Sequence, residues 1–167
     1  MYGPSWEYLW QFGLVHGQTG QVKGRSPYND WLYVKMDGYT NYCWIPGYQL
    51  NIVGDVNTVI VQEIYLPWSG TGFYTPPAWV RAERKGDQVF INWPDVYMTE
   101  DDDRGYFLDL FLCKDGTLNW APKNVKPHTQ TEYIVVDEPG CSEPSGGTIY
   151  TVEKHGYVYP GLTISWP

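Results

Sequence analysis

Cysteine, methionine and histidine are each present only three times in the 167 residues, which leaves little material for thiol redox chemistry or a histidine-rich metal centre. No cysteine pair stands at a redox or zinc-ligand spacing. No apolar run reaches the about 18 residues that a membrane-spanning helix requires, and no basic-then-apolar leader opens the sequence. Any export signal is therefore expected to lie outside it. Positive charge is scarce too, with 11 Lys and Arg against 19 Asp and Glu and a formal net charge of −8. There are 3 basic and 5 acidic residues before Gly72 and 8 and 14 from there on, giving −2 and −6. A nucleic-acid-binding domain would instead gather Lys and Arg on one face to neutralise phosphates, so nucleic acid is excluded as a partner.

What is abundant is punctuation and ring. The 18 Gly and 13 Pro interrupt the chain too often for long helices, and 9 Trp and 15 Tyr stand against only 5 Phe. Much of the aromatic surface thus carries a polar handle and can sit half in water. Residues 31–36 alternate Trp31, Tyr33, Lys35 with Leu32, Val34, Met36, the two-residue period of a strand. Asp37-Gly38 then turns the chain toward Tyr42-Cys43-Trp44-Ile45.

Together with Val22-Lys23-Gly24-Arg25-Ser26, these segments resemble the second half of a bacterial SH3 domain, whose last short strand would be residues 50–53. The resemblance extends back through Gly3-Pro4-Ser5, Tyr8, Leu14, Gly17 and Gln18. It implies a small non-catalytic barrel that binds peptides or cell-wall polymers. Family members with a Cys-Trp strand commonly carry an earlier strand ending in Cys-Arg-x-Gly-Pro, and Met1-Tyr2 stands where that Cys belongs. The expectation is a barrel lacking its first strand and the disulfide partner of Cys43. Residues 2–10, an apolar patch containing Trp6, Tyr8, Leu9 and Trp10, or a neighbouring chain would cover the gap.

After Val53-Gly54-Asp55 comes a Pro- and Gly-rich stretch of linker composition. The expected organisation is a barrel over residues 1–62, a linker over 63–77 and a second domain over 78–167. In the latter, Pro76-Pro77 leads into a first strand at Val80-Arg81-Ala82-Glu83, Val89, Ile91 and Trp93 alternate with Phe90 and Asn92, and Tyr106, Leu108, Leu110 and Leu112 alternate with Phe107, Asp109, Phe111 and Cys113. Further strands are expected through Leu118 and Trp120, over residues 132–136 and 147–152, and through Leu162, Ile164 and Trp166. The pattern resembles a fibronectin type III, immunoglobulin-like β-sandwich of seven strands, and that resemblance makes Tyr150 the tyrosine-corner residue. The fold class is all-β.

In an oxidising compartment three cysteines mean one pair and one orphan; in a reducing one, three buried thiols. Cys113 and Cys141 share the second domain and are the proposed pair, with two free thiols as the alternative. Glu100-Asp101-Asp102-Asp103-Arg104-Gly105 places oxygen ligands at alternate positions as calcium loops do, but lacks the downstream bidentate Glu, and a solvated loop partly neutralised by Arg104 is the simpler reading. Ser145, His155 and Asp137 lie near one another in sequence without a Gly-x-Ser-x-Gly elbow. Cys43 with His16, His128 or His155 imitates a peptidase pair, but the accompanying peptidase domain would need its own length of chain. No catalytic residue, metal site or cofactor is therefore expected.

Trp31, Tyr33, Tyr42, Trp44 and Tyr48 fall where SH3-like domains line a ligand groove, able to hold an extended Pro-rich peptide or stack on sugar rings. The competing assignment gives any one of these rings to the core, since a small barrel has little else to bury. The functional expectation is a non-enzymatic binding or scaffold module of an exported bacterial protein, extracellular or on the cell surface, with a peptide or cell-wall component as ligand. The alternatives are a carbohydrate-binding module, and an assembly subunit or homo-oligomer completed by strand addition at an open sheet edge.

Overall fold

In a computed structural model the described residues, 1–70, 72–101 and 103–167, form an all-β chain of two compact units, Met1–Leu66 and Pro67–Pro167. The first is a curled half-barrel. β1 (Gly20–Arg25), β2 (Trp31–Met36) and β3 (Tyr42–Pro46) pair antiparallel in that order. The alternation seen in the sequence sends Leu32, Val34 and Met36 of β2 and Cys43 and Ile45 of β3 to one face, where they form the core with Phe12, Val22, Tyr39, Leu50 and Val56 against it. Gly38, at φ 82°, supplies the left-handed backbone that the β2–β3 turn requires.

β1 is kinked by a bulge between Val22 and Gly24. Beyond the bulge Arg25 faces away from β2, donating its N–H to the Ile60 carbonyl at 2.9 Å and accepting from Gln62 N–H at 2.9 Å. On the far edge of the sheet, Trp44 N–H donates to the Met1 carbonyl at 3.1 Å and the Met1 amino group donates to the Trp44 carbonyl at 3.3 Å. Within residues 2–10, Tyr8 and Leu9 are buried whereas Trp6 and Trp10 are exposed. The Tyr8 ring lies over Gly3, where an added Cβ would stand 2.3 Å from it.

The strand expected at residues 50–53 does not form. After a 3-10 turn at Gly47–Gln49, Leu50 is extended, but no neighbour offers residues 50–53 a ladder. A second 3-10 turn, Val56–Thr58, is capped by Asp55, whose carboxylate accepts from Asn57 N–H.

The second unit is a sandwich. One sheet orders β4 (Arg81–Lys85), β5 (Gln88–Asn92) and β9 (Glu132–Val136). The other centres on β6 (Gly105–Lys114) and β10 (Gly146–Glu153), with β7 (Thr117–Trp120) and β8 (Lys123–Val125) beside β6, and β11 (Gly156–Tyr157) and β12 (Leu162–Ser165) beside β10. Between the sheets lie Val89, Ile91 and Trp93 from one side and Tyr106, Leu108, Leu110, Ile149 and Ile164 from the other. The inward and outward assignments for β5 and β6 match the sequence pattern because a half-buried strand has period two. There are nine strands among the described residues of this unit rather than seven, since short β8 and β11 lack a run long enough to alternate visibly.

Two expectations for this unit are corrected. Tyr150 does not anchor a corner: Ile149 takes the core position of β10, and Tyr150 lies on the other face against Tyr157 and Tyr159. Tyr106 is tied to the backbone instead: its hydroxyl accepts from Val96 N–H at 2.9 Å, and burial pushes its pKa up to about 12. Nor is the whole of residues 63–77 a spacer, because Tyr157 N–H donates to Pro67 C=O at 2.9 Å and Ser69 N–H donates to Tyr157 C=O at 3.0 Å. Backbone groups that would otherwise lose their partners on burial draw this half of the stretch onto the sandwich. Thr71 of that stretch lies outside the described residues.

Candidate functional site

The outward face of the β2–β3 hairpin gathers the predicted aromatics. Register places Trp31 opposite Pro46, Tyr33 opposite Trp44, and Lys35 opposite Tyr42. Tyr33 stacks on Tyr42 with centroids 5.2 Å apart and packs at 5.1 Å from Trp44. Lys35 Nζ lies 5.4 Å from the centre of the Tyr42 ring and donates to Thr40 C=O at 2.7 Å, which holds that edge of the face in place. Burial, then the neighbouring Tyr42 and Cys43, raise the Tyr33 pKa, so its phenol stays a neutral donor.

The five predicted residues do not make one open groove. Trp31 and Trp44 are only 5% and 3% exposed, so their rings are part of the packing and not a stacking platform. Tyr33 is half-buried, Tyr42 is exposed, and Tyr48, in the 3-10 turn after β3, is 70% exposed. The correction has a packing cause: the N-terminal segment is laid over the hairpin. Trp6 packs edge-on to Trp31 at 5.1 Å, and Asn29 Nδ2 donates to Pro4 C=O at 2.7 Å, pinning the segment there.

What that segment buries it also replaces. Trp6 and Trp10 pair at 5.9 Å with 47% and 65% of their surfaces exposed. They form a ridge of two large rings over the Trp31 end of the face. The sequence marked residues 2–10 as an apolar patch, but nothing in it distinguished the two outward tryptophans from Tyr8 and Leu9, because this segment has no regular period.

The remaining candidates disperse. Cys43 is a free thiol buried among Leu32, Val34 and Ile45. Burial pushes its pKa up, so it is a poor nucleophile. His16 is exposed, and His128 pairs with Asp95 at 3.3 Å in the second unit. Alkylation under native conditions should leave Cys43 unmodified while denaturant exposes it to one equivalent of reagent; rapid labelling of the folded chain would contradict this placement. His155 stands exposed in the turn between β10 and β11, whereas Asp137 is fully buried and bonded to Ser145, so the three do not form a triad.

In the acidic run, Asp103 pairs with Lys126 at 3.0 Å and Asp101 approaches Lys154 at 4.0 Å, while Arg104 donates to Thr99 C=O at 2.6 Å. Among the described residues no group of three His, Cys, Asp or Glu comes together as a metal site; Asp102 lies outside them. Cys113 and Cys141 form a disulfide with Cα atoms 5.8 Å apart. Among the described residues no helix is long and apolar enough to cross a membrane. Models of known protein families give no match to this chain, and a search of curated proteins gives none either.

Proposed function

We propose that the chain is a non-enzymatic binding module of an exported bacterial protein, an SH3-like half-barrel followed by a fibronectin-like sandwich, and that its ligand is a cell-wall polymer. The observation that carries this is the Trp6–Trp10 ridge: two exposed rings 5.9 Å apart on a segment packed against Trp31. Large exposed aromatic surfaces are costly in water and mark binding sites, and indole faces stack on sugar rings while the N–H stays available for hydroxyl groups. Tyr42 adds a phenol on the same hairpin, and Tyr48 another just after it. The disulfide fits an oxidising compartment outside the cytosol.

Sedimentation with purified wall sacculi tests the reading. The chain should co-sediment, and the Trp6→Ala/Trp10→Ala double variant should bind about tenfold or more weakly, since two buried aromatic anchors are each worth more than about 1 kcal/mol. Trp10 is the more exposed of the two and Trp6 also packs on Trp31, so some loss of thermal stability is expected, and binding is compared at a temperature where both proteins are folded. Equal binding by the variant, or failure of the parent chain to bind the wall, would overturn the assignment. A Pro-rich peptide run in parallel distinguishes polymer recognition from peptide recognition.

A further inference from the structure

The half-barrel has a second face that the aromatic ridge does not use. Between β1 and residues 49–59 opens a cleft of about 1160 Å³. Val22, Val34, Met36 and Ile45 of the sheet line it, so it opens onto the same core that holds the half-barrel together. Apolar side chains also stand around it in solvent, Leu14 and Val15 on one side and Ile52 and Val53 on the other, with Val53 97% exposed. Apart from His16, Lys23 and Asp55 are its titratable lining residues among those described, one charge of each sign.

The backbone along the cleft is equally unfinished. Asp37 N–H donates to the Thr19 carbonyl, which makes residues 19 and 37 a hydrogen-bonded pair in the β1–β2 register. In an antiparallel ladder such pairs alternate, so Gln21 faces β2 while the N–H and C=O of Gly20 and Val22 point away from it. Past the bulge, the outward groups of Arg25 are taken by Ile60 and Gln62. Those of Gly20 and Val22 have no partner among the described hydrogen bonds, and neither do the backbone groups of Asn51, Ile52, Val53 and Gly54 across the cleft. Two unpaired backbone edges thus flank a cleft whose rim carries the exposed Leu14, Val15, Ile52 and Val53, while Val34, Met36 and Ile45 at its base are already covered.

We propose that this cleft is a docking slot for an extended peptide strand of another polypeptide, which pairs with Gly20 and Val22 of β1 on one side and with residues 51–54 on the other. Its alternate side chains are aliphatic and pack among Leu14, Val15, Ile52 and Val53, the apolar side chains that stand in solvent around the cleft. A strand fits where a small molecule or a polyanion does not: the unsatisfied groups of β1 recur at Gly20 and Val22 with the two-residue period of a backbone, and the lining offers no charge surplus. This site is separate from the Trp6–Trp10 ridge and goes beyond the wall-binding proposal.

The test is a capped synthetic peptide of about six residues, the usual strand length, with Val at alternate positions and Thr between them. It is titrated into the full chain while amide exchange is followed residue by residue. Saturation should slow exchange at Gly20 and Val22 and leave Gln21, already paired with β2, unchanged. A peptide N-methylated at the positions facing β1 should bind about tenfold more weakly, the effect of losing two hydrogen bonds. Because this control leaves the protein intact, a Val22→Pro variant is needed only as confirmation. The Trp6→Ala/Trp10→Ala variant should keep full peptide affinity.

Absence of protection at Gly20 and Val22 with saturating peptide overturns the proposal. Loss of peptide binding in the tryptophan variant also overturns it, by moving the peptide to the ridge. Protection of both amides without peptide, together with a doubled mass in solution, overturns the assigned occupant in favour of a second copy of the chain.

Discussion

Replacing Asp137 with Ala should destabilise the second unit by about 3 kcal/mol or more, the usual cost of removing one member of a buried charged pair. The carboxylate is fully buried and takes Arg84 from β4, Trp166 Nε1 at 2.8 Å and the Cys113 N–H of β6 at 2.6 Å. With Ser145 as a fourth donor it ties the two sheets together, and Ala would leave the Cys113 and Trp166 donors buried without an acceptor. For a unit of this size the melting temperature should fall by more than about 10 °C.

The same residue sets an acid limit. Burial alone would raise the Asp137 pKa, but the donors from Ser145, Trp166, Cys113 N–H and Arg84 outweigh it and hold the carboxyl below its ordinary value. A group depressed in the folded chain stabilises fully above its unfolded pKa, about 3.9, and the contribution is lost as pH falls through the lower folded value. Stability of the parent chain should drop below about pH 4, and the Asp137→Ala profile should be flatter there. Matching acid limbs in thermal melts of the two proteins would show that other carboxylates control the transition.

Removing the disulfide should be of similar size. Cys113 on β6 and Cys141 in the β9–β10 connection close a loop of sequence separation 28. In the chain-entropy account, that constraint on the unfolded state is worth about 3 to 4 kcal/mol. The Cys113→Ala/Cys141→Ala variant should melt well below the parent, and reduction of the parent should reproduce the loss. Non-reducing peptide mapping should find the 113–141 linkage and an unmodified Cys43. Because Cys113 N–H also donates to Asp137, the disulfide and Asp137 variants are in contact, and their effects should not add.

Much of the architecture was legible because strands announce themselves by period. β2, β5 and β6 alternate over enough residues that their strands could be read from the letters and Tyr106, Leu108 and Leu110 placed inward, whereas the residues of β2 showed a strand without showing which face is core. The pairing of Cys113 with Cys141 followed from shared domain membership. The candidate site was less legible. Sequence position assigned Trp31 and Trp44 to a ligand groove, but the face a ring occupies does not say what covers it. Tyr150 failed for a related reason, since a strand's two faces are told apart only by what packs on each.

Composition and local pattern by themselves determined that this is an all-β chain, aromatic-rich and acidic, with a break in composition between its two parts, because these depend on residue type and near-neighbour spacing. Only the tertiary structure decided which rings remain in water, that residues 50–53 lack a strand partner, that Pro67 to Ser69 join the sandwich, and that Asp137 holds its sheets together. Each of those is a relation between segments far apart in the chain. Burial and backbone pairing are properties of the neighbour that arrives, and no residue encodes its neighbour alone.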